Sequence, residues 1–339
     1  FYFNEWIYWL PKGLSPFARS NYSAVLPMIK PPSLKPGSHI GLISPSFWLN
    51  KKELAGTSKF FRDHGYKLKF GKSNSLKWGP FAGTPQERAD DIHRMFSDPE
   101  IDAIICVRGG YGANRVLPLI DYQLIGENPK IFIGFSDITA YNISITQKTG
   151  LVTFHGPMLV SYKKQFIRYN FSLMEHILTA KKRVKIEYPE KLSPKVLKPG
   201  VANGPLWGGN ITLILNRLGT TEQLNTNNVI LFLEDVDEYL YSFERMLVQM
   251  RTTGILDNIK GLIIGELVDF KDQDIPFERD TDEIIMDICG DLDIPIISNF
   301  PCGHGTYQAT LPISIPIELN AKTNTPYISL LESAVEENH

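Results

Sequence analysis

The chain has 339 residues, and its 35 Lys and Arg nearly balance 37 Asp and Glu, for a formal net charge of -2. With 43% hydrophobic and 21% charged residues, this composition excludes wholesale disorder, collagen-like repetition and a polybasic nucleic-acid coat. The length exceeds what one small core usually takes, so two domains are expected.

The first thirty residues are aromatic, beginning Phe1-Tyr2-Phe3-Asn4-Glu5-Trp6. Glu5, Lys12 and Arg19 interrupt the apolar stretch, which fits neither a signal peptide nor a membrane span. Residues 1–32 read as a surface arm. No later run reaches the ~18 apolar residues of a span, so a cytoplasmic protein without a membrane partner is expected.

From residue 39 a strand–helix rhythm takes over. A buried strand over 39–44 leads to a helix over 49–64 and a second strand over 66–70. Thr84-Pro85-Gln86-Glu87 is a strong helix start: Thr84 caps, Pro85 suits the first helical position, and Glu87 completes a capping box. That helix runs to about 96. Strand 102–107, helix 113–120, strand 131–135 and helix 138–148 follow. The alternation predicts an α/β fold, an open and mostly parallel sheet covered by helices, over residues 33–180.

Residues 181–204 break the rhythm with a Lys181-Lys182-Arg183 run, prolines and glycines, and read as a linker. A smaller second domain, mixed α/β or β-rich, is expected over 205–335. Its elements are a helix near 210–218, strand 229–234, helix 242–252, strand 261–267 and strands near 294–299 and 311–318.

Several strand ends carry chemistry. Ser136 falls where the apolar run Ile131–Phe135 meets the helical pattern beginning at Ile138, a turn that exposes a hydroxyl and aims N–H groups at it. The bland alternative is a Ser or Asp helix cap. Arg108-Gly109-Gly110-Tyr111-Gly112 follows another apolar strand and reaches the same sheet edge, where ligands bind. Its glycines let backbone approach a substrate, and Arg108 suits a carboxylate, although a tight structural turn is the competitor. The spacing matches neither common nucleotide-loop pattern.

Glu234 closes the apolar run 229–233, with Asp235, Asp237 and Glu238 close behind. The cluster reads as the acid that orients a base, a divalent-cation site, or a cap for the helix near Tyr241. His304, between Gly303 and Gly305, is an accessible imidazole suited to general-base work, and His155 is its rival. The three cysteines, Cys106, Cys289 and Cys302, form no close CxxC pair, so no disulfide framework or cysteine zinc site is expected. Cys106 reads as core, and Cys302 is a weak nucleophile candidate with no assigned base. No close His pair or HExxH motif suggests a metal, and no cofactor is expected.

Taken together, Arg108–Gly112, Gly134-Phe135-Ser136-Asp137-Ile138-Thr139, the run from Gly150 to Pro157, Gly208-Gly209-Asn210, Leu233–Glu238 and Gly303-His304 resemble the LD-carboxypeptidase family of serine peptidases. This family includes self-immunity peptidases that inactivate microcin C. The resemblance spans about residues 33–330 in order. It implies a Ser136–His304–Glu234 triad, Glu238 being the less favoured acid. It implies an oxyanion hole from the Gly110 and Asp137 N–H groups, and Arg108 beside it as a substrate-carboxylate or loop-supporting group. The implied activity releases terminal D-alanine from a muropeptide tetrapeptide in cytoplasmic wall recycling. The alternative is amide cleavage in a peptidyl or aminoacyl nucleotide, with Trp207 a candidate for stacking on the base or for a domain interface. A homodimer is the family expectation, and a catalytically silent binding protein is the contrasting class.

Overall fold

Short apolar runs separated by well-capped helices build the first half of the chain, as seen in a computed structural model that describes residues 26–162, 168–180, 183–189 and 191–336. Strand β1 (His39–Ile43) leads to α1 (Lys51–Asp63), where Asn50 Oδ1 caps by accepting the Glu53 N–H at 2.9 Å. After β2 (Lys67–Phe70) comes α2 (Pro85–Ser97), and the expected capping box is made in both directions between Thr84 and Glu87. Then follow β3 (Ala103–Cys106), α3 (Tyr122–Glu127), β4 (Ile131–Ile133), α4 (Thr139–Thr149), β5 (Phe154–His155) and α5 (Arg168–Thr179).

The helix expected over 113–120 is instead two single 3-10 turns, Ala113–Arg115 and Leu117–Leu119. Pro118 has no N–H to give an α-helical ladder. The true helix, α3, starts behind Asp121, whose carboxylate accepts the Leu124 N–H at 3.0 Å. Of the expected arm, residues 1–25 lie outside the described residues. Ile29 is tied to the body, its N–H donating to the Gly150 carbonyl at 2.9 Å and its carbonyl accepting the Val152 N–H at 2.8 Å.

The segment read as a linker carries strands: β6 (Lys185–Ile186), β7 (Lys195–Lys198) and the start of β8 (Val201–Asn210). β6 and β7 are the outermost strands of their sheet, and edge strands tolerate the Lys and Pro that make a sequence look like a linker. The remainder is α6 (Ile211–Leu215), β9 (Ile230–Val236), α7 (Leu240–Thr252), β10 (Gly261–Val268), α8 (Thr281–Cys289), β11 (Ile296–Phe300), β12 (Leu311–Pro312), β13 (Pro316–Asn320) and β14 (Tyr327–Leu330).

Two sheets result. The first has order β12-β5-β4-β3-β1-β2, parallel except where β12 runs against β5. The second has order β6-β14-β13-β8-β9-β10-β11-β7, with a parallel centre of β8, β9, β10 and β11 and antiparallel flanks. The expected α/β class with an open parallel first sheet and a mixed second one is therefore correct.

One strand expected over 311–318 is two. Ser314, at φ 73°, turns the chain between β12, which joins the first sheet, and β13, which joins the second. The chain from β11 to β12 thus crosses from one sheet to the other. One core cluster spans both, including Leu42 and Ile133 of the first sheet and Phe232 and Ile317 of the second.

Candidate active site

Three parallel strands, β1, β3 and β4, end at one edge of the first sheet, and the loops that leave them meet there. After β4 the chain enters a 3-10 turn, Ser136–Ile138, with Ser136 at φ 64°. A left-handed conformation costs a non-glycine residue about 1–2 kcal/mol, and the surrounding contacts must hold it. The loop after β3 supplies them: a Cβ built on Gly109 would lie 3.0 Å from Ser136 Cβ and 3.5 Å from the Asp137 nitrogen. Gly110, at φ 123°, packs so tightly on Phe47 of the third loop that a Cβ would approach that ring to 2.5 Å. Glycine is required here by space and by backbone conformation alike.

Neither Ser136 nor Asp137 serves as the helix cap. Phe135 holds the capping position without a side-chain bond, and Ser136 Oγ has no hydrogen-bond partner among the described residues. The Asp137 carboxylate is buried and accepts from the Ser46 hydroxyl and, at 3.0 Å, from the Ala113 N–H. Burial pushes its pKa up, against these hydrogen bonds. It therefore clamps the loops after β1 and β3 to the Ser136 turn. Arg88, fully buried on α2, braces the same loops by donating to the Pro45 carbonyl at 2.8 Å and the Gly112 carbonyl at 3.2 Å.

The second sheet brings the acid and the imidazole. Glu234 sits on β9 with no solvent exposure, and its Oε2 accepts a 2.7 Å hydrogen bond from His304 Nδ1. A carboxylate only accepts, so Nδ1 carries the proton and Nε2 is left with its lone pair. Burial pulls the His304 pKa down, but the hydrogen bond and charge of Glu234, with Asp235 behind, outweigh it and leave the pKa raised. The His304 ring packs edge-on against Phe135, the residue before Ser136, at 4.8 Å between centroids. The geometry thus joins Glu234 to His304 directly and brings His304 beside the serine turn, while Ser136 Oγ makes no bond to the imidazole. Such bonds are often long before substrate arrives.

His304 lies on the segment that crosses between the sheets, and three contacts fix that segment. Asn170 of α5 donates to the Thr306 carbonyl at 3.2 Å and accepts the Gln308 N–H at 2.8 Å. His155, the rival base, is 2% exposed and donates from Nε2 to the Cys302 carbonyl at 2.7 Å. Burial lowers its pKa. It supports the His304 loop from beneath. Cys302 is buried, with a thiol pKa pushed well up by burial, which is the wrong direction for a nucleophile. Cys106 is buried in the core, as expected.

The acidic cluster after Glu234 disperses. Asp235 accepts from Asn210 Nδ2 and from the Thr212 N–H and hydroxyl, so it anchors α6 and not the helix near Tyr241. Asp237 pairs with Lys271, and the Glu238 carbonyl accepts the Lys271 N–H. Among the described residues no group of three His, Cys, Asp or Glu side chains converges as a metal site, and no helix is long and apolar enough to cross a membrane. Arg108 is half-buried, donates to the Trp48 carbonyl at 3.4 Å, and lines a cavity of about 270 Å³ with Phe47, Trp48, Asn50, Glu53 and Pro80. Trp207, on β8 opposite Leu231, packs against hydrophobic clusters of both halves.

One residue of interest escapes sequence reasoning. Glu266 on β10 presses its carboxyl on the His304 loop, where a Cβ on Gly305 would meet Oε2 at 2.1 Å. Oε2 is buried without a partner among the described residues, and burial raises the pKa to about 7. Its sequence setting, Gly265-Glu266-Leu267, reads only as a strand.

Fold and site together define a two-sheet α/β protein with a buried carboxylate–imidazole pair beside a strained strand-end serine. The chain belongs to the LD-carboxypeptidase family: the family's N-terminal domain matches residues 40–156 and its C-terminal domain residues 203–319. It is 34% identical over 327 residues to a probable murein peptide carboxypeptidase of Bacillus subtilis, covering 91% of this chain and 96% of the relative. Its structure resembles that of the immunity protein MccF in complex with glutamyl sulfamoyl guanosine, with a TM-score of 0.84 at 25% identity, covering 91% and 99% of the two chains. The muramoyltetrapeptide carboxypeptidase of Oxalobacter formigenes is also similar, with a TM-score of 0.78 at 25% identity and coverage of 89% and 100%.

Proposed function

We propose that this chain is a serine LD-carboxypeptidase that hydrolyses the L,D-amide releasing terminal D-alanine from a muropeptide tetrapeptide. The observation that carries the reading is the 2.7 Å bond from His304 Nδ1 to the fully buried Glu234, which leaves Nε2 as the basic nitrogen of a ring packed against Phe135, the residue before Ser136.

In this mechanism Ser136 Oγ attacks the scissile carbonyl as its proton passes to His304 Nε2. Glu234 holds the ring and offsets the imidazolium charge. The N–H groups of Gly110 and Asp137 receive the oxyanion, where one donor is worth about 3 kcal/mol. His304 then returns the proton to the departing amine as the C–N bond breaks, leaving an ester on Ser136. Water, losing its proton to His304, hydrolyses the ester. Arg108 would pair with the terminal carboxylate of the substrate. It has no carboxylate partner among the described residues and faces a cavity.

The structural likeness to MccF favours a second reading, amide cleavage in a peptidyl or aminoacyl nucleotide by the same centre. In that reading Trp207 is the residue to test for base stacking. Both readings include a cytoplasmic homodimer, and light scattering on the full chain tests the dimer.

Parallel turnover of an L,D-tetrapeptide and of an N-acylated aminoacyl sulfamoyl adenosine decides between them. D-alanine release from the tetrapeptide, lost in Ser136→Ala, is expected. Cleavage of only the nucleoside compound would replace the first reading by the second.

A further inference from the structure

Arg88 of α2 is fully buried, and its guanidinium forms no ion pair among the described residues. Nη1 donates to two carbonyls, while Nε and Nη2 are buried without a partner there. A buried cation in this state is expensive. Bracing two loops needs only a neutral donor, and the hydrolytic mechanism gives the charge no task.

Both carbonyls lead to the same anion. Arg88 Nη1 donates to the Gly112 carbonyl at 3.2 Å, and the N–H of that same peptide unit, on Ala113, donates to Asp137 Oδ2 at 3.0 Å. Nη1 also donates to the Pro45 carbonyl at 2.8 Å, and the next residue, Ser46, gives its hydroxyl to the same Oδ2. Cation and anion are thus joined without touching, through one stretch of backbone from the loop after β1 and one from the loop after β3. The Gly112–Ala113 peptide points its carbonyl at the cation and its N–H at the anion, as its dipole favours. Asp137 is 1% exposed; burial raises its pKa, and the Arg88 charge is among the influences that oppose the rise. The Asp137 N–H is one of the two donors proposed for the oxyanion. An unbalanced carboxylate on that residue would oppose the negative charge that develops beside it.

We propose that Arg88 is a positioning residue whose charge balances the Asp137 carboxylate across the Gly112–Ala113 and Pro45–Ser46 backbone, so that the oxyanion forms at a turn of no net charge. The oxyanion part rests on the peptidase reading, and the pairing of the two charges does not.

A double-variant cycle over Arg88→Gln and Asp137→Asn tests both parts in the full chain. It is read by urea unfolding and by turnover of whichever of the two candidate substrates the wild type cleaves. Both replacements keep a hydrogen-bonding amide and remove the charge. Arg88→Gln should lower kcat about a hundredfold with KM changed less than about twofold. Arg88→Lys, which keeps the charge, should recover most of that loss. With Asp137→Asn also present, the loss from Arg88→Gln should shrink to about tenfold or less. The unfolding midpoint lost in Arg88→Gln should likewise be largely recovered in the double variant, because both members of the buried pair are gone. A purely structural brace would leave Arg88→Gln equally harmful in both backgrounds. Additive effects on unfolding overturn the charge pair whatever the turnover shows. A coupled unfolding cycle with additive or absent effects on kcat overturns the oxyanion role. Should the wild type cleave neither substrate, the peptidase reading falls and the oxyanion role with it, while the unfolding cycle still decides the pair. If Arg88→Gln does not fold, the double variant decides: a folded double supports the pairing, and an unfolded one overturns it.

Discussion

Ser136 is held at φ 64° in a turn where its hydroxyl meets no partner among the described residues, so the chain stores strain at the residue proposed to attack. Replacing it by glycine should relieve that strain and raise stability by about 1 kcal/mol while abolishing turnover. Denaturant unfolding of Ser136→Gly against Ser136→Ala measures the difference, and equal midpoints would show that the turn is unstrained. Glu234→Gln should lower kcat by about four orders of magnitude, because the tautomer of His304 is no longer enforced. The same change removes the charge that raises the His304 pKa, so the acid limb of the kcat/KM profile should move to lower pH. Glu266 gives a stability prediction of opposite sign to a salt-bridged acid. Its pKa rises from 4.5 unfolded to about 7 folded, so the folded state holds a proton that the unfolded state has lost between those values. Stability should therefore fall as pH rises from about 4.5 to 7, and stay lowered above. Glu266→Gln should remove this loss, gaining less than the roughly 3 kcal/mol of an unscreened shift at pH 8 and nothing at pH 4. Thermal unfolding at both pH values checks it.

At the scale of elements, strand pairing sets which side chains meet. β8 and β9 run parallel with Asn210 beside Glu234, and Gly208 opposite Phe232. Gly208 has φ 151°, and a Cβ there would fall 1.8 Å from the Phe232 carbonyl oxygen. Gly208→Ala should force these central strands apart and destabilise by more than about 3 kcal/mol, with soluble expression and urea midpoint as readouts. The sequence made much of this level legible. The capping box at Thr84, the apolar runs of β1, β3, β4, β9 and β10, and the turn at Ser136 all follow from local pattern. It also held a signal that passed unread: Asp280 and Glu283 form a second capping box that starts α8. The edge strands β6 and β7 were illegible for a physical reason. A strand with solvent on one side keeps Lys and neighbouring Pro, and shows little of the periodicity that marks a central strand.

Across the whole molecule, the segment from β11 to β12 stitches the sheets together and carries His304 on the way. β12 pairs with β5, Leu311 opposite His155, and a single core cluster draws on both sheets. Unfolding should therefore be one cooperative transition, with far-UV circular dichroism and tryptophan fluorescence coinciding. Two separated transitions would show that the halves are energetically independent.

The sequence by itself determined the α/β class, the strand-end position of Ser136, and the identities of Glu234 and His304 as candidates, because caps, apolar runs and glycine turns are local. Only the tertiary structure decided which histidine meets an acid. His155 and His304 both lie in glycine-flanked stretches after apolar strands, and nothing local separates them. The crossing of the chain turns one towards Glu234 and buries the other beneath Cys302. Tertiary structure also dispersed the acidic run, sending Asp235 to Thr212 and Asp237 to Lys271, and it gathered Phe47, Trp78, Phe81 and Tyr111 from three separate loops. Contacts of that kind depend on strand order and register, which are set by burial summed over the whole chain.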